Sequence, residues 1–397
     1  MEKLNQSINE NLTSLTIQGL VNLYRSKTNL SKLVWLIITI GSICLSVYYS
    51  TQTILDYLKF EVTTNVRLIN DGQLEFPMIT ICNKDQFYST HLNRINFDEN
   101  AYEIYFNITM SQRSNFTSPI EKILLSCRFS NKKCSHNDFE YIFNKYHGNC
   151  YLFNSNITQT STKLTYKYGL ILDFDLSASI DYEPKGFYVG IARKNRNPYR
   201  LLSNQLDLST GIESRIRIDQ SHFQRLPYPF SNCRNKFESK FYDKLIQSNY
   251  LYTQSLCEDY CRLYYTLLKC NCTIAESSIR IENNKYCQFG TNEFECANEF
   301  TKIYSDIVKM CESDEYCPYE CDLIRNDITE TNIKYNKKKI LNKSNIDEND
   351  LIRLIFYFRS NDYLNYVEQV SMDFFTLISN LGGVLGLFMG KFILNLI

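Results

Sequence analysis

The run LVWLIITIGSICLSVYYS, residues 33–50, holds no charged side chain, with Trp35 near its start and Tyr48 and Tyr49 at its end. About 20 mostly apolar residues at about 1.5 Å rise cover a bilayer core of roughly 30 Å, so the run can cross a membrane with an aromatic anchor at each interface. A cleaved signal peptide is the competing use. No small-residue cleavage site follows Ser50, and a mostly polar segment of about thirty residues precedes the run. Lys3, Arg25, Lys27 and Lys32 lie on its N-terminal side and assign that flank to the cytoplasm. A second apolar stretch, Phe374 to Ile397, lies at the other end, so the polypeptide between the two reads as extracellular.

Cysteine usage agrees with that orientation, because disulfides persist in oxidising compartments and are rare in the cytosol. Of the fifteen cysteines, Cys44 falls in the first span and the other fourteen lie between the spans. They form an even set: Cys82, Cys127, Cys134, Cys150, Cys233, Cys257, Cys261, Cys270, Cys272, Cys287, Cys296, Cys311, Cys317 and Cys321. Cys257 with Cys261 and Cys270 with Cys272 could be drawn as zinc ligands, but the compartment and the four histidines weigh against it, and no metal or other cofactor is expected. N-x-Ser/Thr triplets at Asn107, Asn115, Asn156, Asn271 and Asn342 are candidate glycosylation sites, each weak alone.

Lysine plus arginine and aspartate plus glutamate both number 43, so the zero net charge does not point to nucleic acid or an anionic surface as a partner. No repeat or low-complexity linker interrupts the stretch between the spans, which reads as one body of mixed α and β structure. Strand patterns occur at Phe76–Ile81, Leu170–Leu176, Phe187–Ala192, Ser214–Ile218 and Leu351–Phe358. Helical spacing joins Phe237, Phe241 and Leu245, and again Phe300, Ile303, Tyr304 and Ile307, all of them expected as core. Ser255-x-x-Glu258 is a capping-box pattern that would start a helix with Cys257 and Cys261 on one face, turned to one partner segment.

In the second span Gly382, Gly386 and Gly390 recur every four residues. Such a stripe permits close helix approach in a membrane, and glycine also lets a helix break and present carbonyl oxygens to an ion. Spacing does not choose between plain oligomer packing and a pore.

Several blocks in order resemble the epithelial sodium channel and degenerin family, which includes acid-sensing and peptide-gated channels. Phe76-Pro77-Met78-Ile79-Thr80-Ile81-Cys82-Asn83 looks like its FPxVTxCN signature, and Gly148-Asn149-Cys150-Tyr151-Leu152-Phe153-Asn154 is similar to its GxCYxFN block. Leu226-Pro227-Tyr228-Pro229-Phe230-Ser231-Asn232-Cys233 resembles the segment leading into the thumb. Cys317-Pro318-Tyr319-Glu320-Cys321 resembles the end of the cysteine-rich region, its proline two places early. Leu381 to Gly390, LGGVLGLFMG, is similar to the second span.

The resemblance implies an α+β membrane protein with two transmembrane helices flanking a disulfide-rich extracellular domain of palm, finger, thumb and knuckle, assembled as a homo- or hetero-trimer. Expected boundaries are a cytoplasmic segment at 1–32, a first transmembrane helix at 33–53, the extracellular domain at 54–370 and a second transmembrane helix at 371–397. The finger falls at about 84–149 and the thumb at about 233–321. The implied disulfides are Cys82 with Cys150, Cys127 with Cys134, Cys233 with Cys321, Cys257 with Cys317, Cys261 with Cys311, Cys270 with Cys296, and Cys272 with Cys287, the last five forming a ladder along the thumb. Ser379 falls at the degenerin position, where a bulky residue wedges the gate open, and Asn380 replaces a common acid. Gly386 and Gly390 fall in the pore segment.

Two positions depart from the family pattern. The cytoplasmic His-Gly gating motif reads Gln18-Gly19, and the Gly-x-Ser filter reads Gly390-Lys391-Phe392. Three lysines near a narrow pore would repel sodium, and a charge at mid-membrane costs about 2.5–3.5 kcal/mol on the mildest scale. Three readings stand open: Lys391 points away from the lumen, partner subunits supply intact filters, or residues 391–397 are not the natural continuation. The third is favoured because the chain stops at Ile397, where the family has an acidic residue and a tail.

The expected function is a subunit of a sodium-selective, amiloride-sensitive type of cation channel in the plasma membrane, both termini cytoplasmic. An extracellular peptide, proton or mechanical stimulus would act on the spans through segments near Phe60 and Tyr363. The rivals are an accessory subunit or membrane-anchored binding protein, an ATP-gated type of two-span trimer, which lacks these blocks, and an ectoenzyme. The last is the least favoured, since His91, His136, His147 and His222 are scattered and no catalytic signature is found. Glu293, Glu295, Glu299, Glu312, Asp314 and Glu315 read as a solvated face, with proton sensing as the alternative.

Overall fold

The computed structural model describes residues 21–23, 26–70, 74–84, 119–144, 147–154, 160–161, 166–177, 185–194, 205–236, 251–273, 287, 290–336 and 347–389. The chain divides into two compact units, one of Val66–Val367 and one of Met1–Asn65 with Glu368–Ile397.

The larger unit is built on β12, Ile212–Gln224, which alternates buried Ile216 and Ile218 with partly exposed Arg215 and Arg217, the period-two pattern of a strand with one buried face. One edge of β12 pairs antiparallel over its whole length with β13, Asp322–Lys334. Its other edge is shared end to end: residues 213–218 run parallel to β14, Leu351–Phe358, and 221–224 run parallel to the start of β15, Asp362–Val370. Beyond β14 lie β9, Leu170–Asp175, then β4, Leu124–Phe129, and β5, Lys132–Cys134. The β4–β5 hairpin turns on Ser130 and Asn131, both at positive φ (49° and 64°), the conformation that a two-residue type I′ turn requires.

A second sheet has the order β11-β10-β3-β7-β6, from Leu206–Ser209, Gly186–Ala192, Met78–Asn83, Gly148–Phe153 and Phe139–Asn144. Side chains of both sheets share one core, in which Phe76, Phe153, Phe174, Phe187, Phe356 and Phe358 are at most 2% exposed. Phe76 sits at its centre, with Phe129, Phe358 and Phe153 at ring-centroid distances of 4.8, 5.9 and 6.4 Å in edge-on contacts. The strands expected at 170–176, 187–192 and 351–358 are present within a residue or two, and that at 214–218 is the middle of β12. The run expected at 76–81 starts later, since Phe76 and Pro77 precede β3.

A polar row crosses the larger sheet. Ser126, Asp173, Arg353 and Glu213 are successive cross-strand partners on β4, β9, β14 and β12. Arg353 donates from Nε (2.6 Å) and Nη2 (3.0 Å) to both oxygens of Asp173, whose side chain is 2% exposed. Ser126 Oγ donates to Asp173 Oδ2 at 2.5 Å, and Glu213 accepts from Arg215 at 2.7 Å. Tyr335 lies beside this row, its phenol pushed above the ordinary range by burial and by the charge of Asp173.

His147 is buried, its ring 4.7 Å from that of Tyr188. Buried Lys84 stands over the Tyr188 ring, 5.7 Å from its centroid, and pairs with Asp207. Burial holds the imidazole pKa below its ordinary value. The folded state therefore binds fewer protons than the unfolded one, and stability present above about pH 6.5 is lost as pH falls through the ordinary imidazole range. Lowering the pH from about 7 to about 5 is expected to lower the thermal midpoint, with a shallower slope in His147→Gln. An identical slope in that variant would remove His147 as the cause.

Candidate functional site

The smaller unit holds an apolar helix from each end of the chain, and the first of them is long and apolar enough to cross a membrane. The first, α1, runs Asn29–Leu58, 30 residues or about 45 Å, and contains the expected span of 33–53. Thr28 starts it by accepting from Ser31 N at 3.3 Å. At the other end Gln52, Asp56 and neighbouring hydroxyls carry the helix beyond the apolar run, and the helix closes at Phe60, held at φ 52° where glycine is usual. Thr39, Thr51 and Thr53 turn their hydroxyls back to carbonyls four residues earlier, at 2.7–2.8 Å, which satisfies donors that lipid could not. Cys44 is a free thiol on the exposed surface.

The helix at the other end, Phe374–Met389, has 16 described residues, about 24 Å, and lies within the stretch 371–397. Asp373 stands ahead of it and accepts from Thr376 N at 2.7 Å, which fixes the start. The two helices touch through Tyr49 and Phe388, stacked at 5.5 Å and 8°. At the outer end Ser371 N donates to Glu61 O at 3.0 Å and Thr63 Oγ1 to Gln369 O at 3.5 Å, so the chain leaving one helix is tied to the chain entering the other. Ser379, Asn380, Gly382, Gly383 and Gly386 are all exposed, and a Cβ built on any of the three glycines meets nothing within 4 Å. Gly390, Lys391, Phe392, Gln18 and Gly19 lie outside the described residues.

In the larger unit the helix Gln254–Cys270, α2, is stapled to the segment that returns after it. The bonds are Cys257–Cys317, Cys261–Cys311 and Cys270–Cys296, with Cys272–Cys287 beyond its end and Cys233–Cys321 at its base. Cys82–Cys150 and Cys127–Cys134 join directly paired residues of neighbouring strands. These are the seven pairs that the family resemblance implies. The cap of α2 is Thr253, not Ser255: Thr253 Oγ1 accepts from Leu256 N at 3.1 Å, while Glu258 reaches Arg262 at 3.7 Å. The start is set by Tyr252, whose phenol donates to Pro318 O at 2.7 Å just ahead of it and is pushed up to about 12 by burial. The helix expected through Phe300 and Ile307 is two pieces, 300–303 and 305–311, broken at Tyr304.

The base of this region is clasped by Arg225, which donates to Glu320 O at 2.8 Å and lies 5.2 Å over the Tyr319 ring, a contact that spacing along the chain does not announce. The six acids read as a face do not converge on one another. Glu293 accepts from Asn271, Glu299 pairs with Lys302, Glu312 with Arg262, and Asp314 accepts from Gln254 at 2.8 Å. Of the five candidate glycosylation positions only Asn271 is described, exposed at the C-terminal end of α2; Asn107, Asn115, Asn156 and Asn342 lie outside the described residues. So do Phe237, Phe241 and Leu245.

The sequence matches a family model described as amiloride-sensitive sodium channel over residues 12–118 and 95–397. It is 24% identical to the bile acid-sensitive ion channel of Homo sapiens, over 97% of this chain and 83% of that one. It is likewise 24% identical to acid-sensing ion channel 1 of Gallus gallus, over 98% and 82%, and 21% identical to acid-sensing ion channel 2 of Danio rerio, over 91% and 76%. Among solved structures, that of a proton-activated chloride channel covers 90% of this chain and 93% of its own at 8% identity, and its TM-score of 0.37 defines no shared fold.

Proposed function

We propose, from the premise that this chain belongs to the amiloride-sensitive sodium channel family, that it is a subunit of a trimeric, sodium-selective cation channel opened by an extracellular stimulus. Members of the family are ion channels of the plasma membrane and not enzymes. The observation that carries the finer reading is the bare face of the second helix, where Gly382, Gly383 and Gly386 meet nothing and Ser379 and Asn380 stand exposed. In a bilayer, where packing and not the hydrophobic effect joins helices, small residues allow close approach by neighbouring copies. Three such helices around an axis would put Ser379 and Asn380 at a gate and Gly386 and Gly390 near the narrowest point. The stapled extracellular unit then serves as a stiff receiver, and the paired segments at Glu61 and Ser371 pass its movement to both spans together.

Whole-cell recording of the chain expressed alone, with sodium replaced by a large cation and an amiloride-type blocker added, tests the reading. Acid, bile acids, peptides and stretch are the stimuli to apply, the first two because relatives carry those names. A sodium current that the blocker reduces is expected, and Ser379→Trp is expected to raise the standing current severalfold by wedging the gate. A silent Ser379→Trp channel at normal surface abundance would count against a gate at that position. The second reading, an accessory subunit or membrane-anchored binding protein, is favoured by Lys391 and Phe392 in the filter. It predicts no current from the chain alone and an altered current when related subunits are present.

A further inference from the structure

We propose that a cleft within the extracellular unit binds a small organic anion with a flat apolar body, a carboxylate being the form its charges fit. The cleft has a volume of about 180 Å³. Arg193 and Lys194 stand side by side in its wall, where β10 ends, and Glu75 is the one acid among its described lining residues. The described lining residues therefore sum to one net positive charge. Arg193 has no carboxylate partner among the described residues, and a guanidinium presents parallel donors that match the two oxygens of a carboxylate.

The rest of the cleft suits the remainder of such a ligand. His222 on β12 and Tyr363 on β15 stack at 3.9 Å and 27°, a flat aromatic surface against which a second ring can lie. His222 Nε2 is 3.1 Å from Gln220 Oε1, and Gln220 Nε2 donates to Asn326 Oδ1 at 3.2 Å, which leaves the amide nitrogen of Asn326 as a neutral donor at the rim. Ile324 supplies apolar wall. Charge at one side, a flat stack at another and few competing acids form a lining with a polarity, as small-molecule sites have. Spacing and motif did not bring Arg193, Lys194, His222 and Tyr363 together, because the lining comes from five separate segments of the chain. The site does not depend on whether the chain conducts.

The test uses the full chain purified in detergent, with sodium benzoate as the probe and benzamide as its neutral counterpart, binding being followed by saturation-transfer NMR and titration calorimetry. Benzoate is expected to bind saturably and benzamide about tenfold more weakly. Arg193→Ala combined with Lys194→Ala is expected to weaken benzoate about tenfold while the unfolding midpoint stays unchanged. Tyr363→Leu should weaken both probes. Glu75→Gln, which removes the single acid and needs no cation to be altered, should tighten benzoate severalfold. Equal binding of the two probes, wild-type affinity in the double variant, weaker benzoate binding in Glu75→Gln, or no saturable binding at millimolar benzoate would each overturn the proposal.

Discussion

Removing the Cys261–Cys311 bridge by replacing both residues with alanine is expected to cost the extracellular unit about 3 kcal/mol, and the size of that figure follows from the neighbouring rungs. In isolation, a bridge closing 50 residues restricts the unfolded chain by about 4 kcal/mol. Here Cys257–Cys317 already holds the same two segments, and the ring through that rung contains only about a dozen residues, so the loop contribution falls to about 3 kcal/mol. Both sulfurs are fully buried and pack with Tyr252, Cys257 and Cys317, so truncation adds a small cavity to the loss. Denaturant unfolding of the full-length protein, compared with a variant lacking Cys127 and Cys134, gives the measurement. Cys127–Cys134 spans 7 residues of one hairpin, and its loss is expected to be the smaller. Equal effects from the two would mean that the ladder does not stiffen the region.

The larger effect is expected at Asp173. Its carboxylate is nearly sealed from water and engages Arg353 through two hydrogen bonds while accepting a third from Ser126. Asp173→Ala leaves the Arg353 guanidinium, itself 13% exposed, with Glu213 at 4.0 Å as the one carboxylate in reach among the described residues. Breaking a buried pair from one side typically costs about 3–5 kcal/mol, because the surviving charge stays buried. Asp173→Leu with Arg353→Met removes both charges, and that pair is expected to recover most of the loss. Chemical unfolding of the three proteins decides the matter. If the double variant is as unstable as Asp173→Ala, the loss comes from packing and not from the unpaired charge.

How far the fold can be read from the sequence depends on how many faces of each element are buried. β9 and β14 are buried on both faces, so LILDFD and LIRLIFYF show as near-continuous apolar runs. β13, DLIRNDITETNIK, is mostly polar and partly exposed along its length, and what makes it a strand is thirteen residues of pairing with β12. A strand held by its neighbour's backbone leaves little trace in its own side chains. The start of α2 shows the same limit at short range. Thr253 and Ser255 are both acceptable caps, and the choice was made by Tyr252 binding a carbonyl 66 residues away.

What the sequence by itself determined is what repeats locally or is confined by chemistry. An uncharged apolar run long enough for a bilayer, an even set of cysteines in an oxidising compartment, and motif blocks in family order follow from residue type and spacing. The tertiary structure alone decided which distant groups meet: the row from Ser126 through Asp173 and Arg353 to Glu213, the clasp of Arg225 on Tyr319 and Glu320, and the cleft where Arg193 and Lys194 join His222 and Tyr363. The physical reason is that a hydrogen bond or a charge pair acts over a few ångströms of space. Which side chains share that space is set by strand register, and register depends on the summed burial of whole strands and not on any one of their residues.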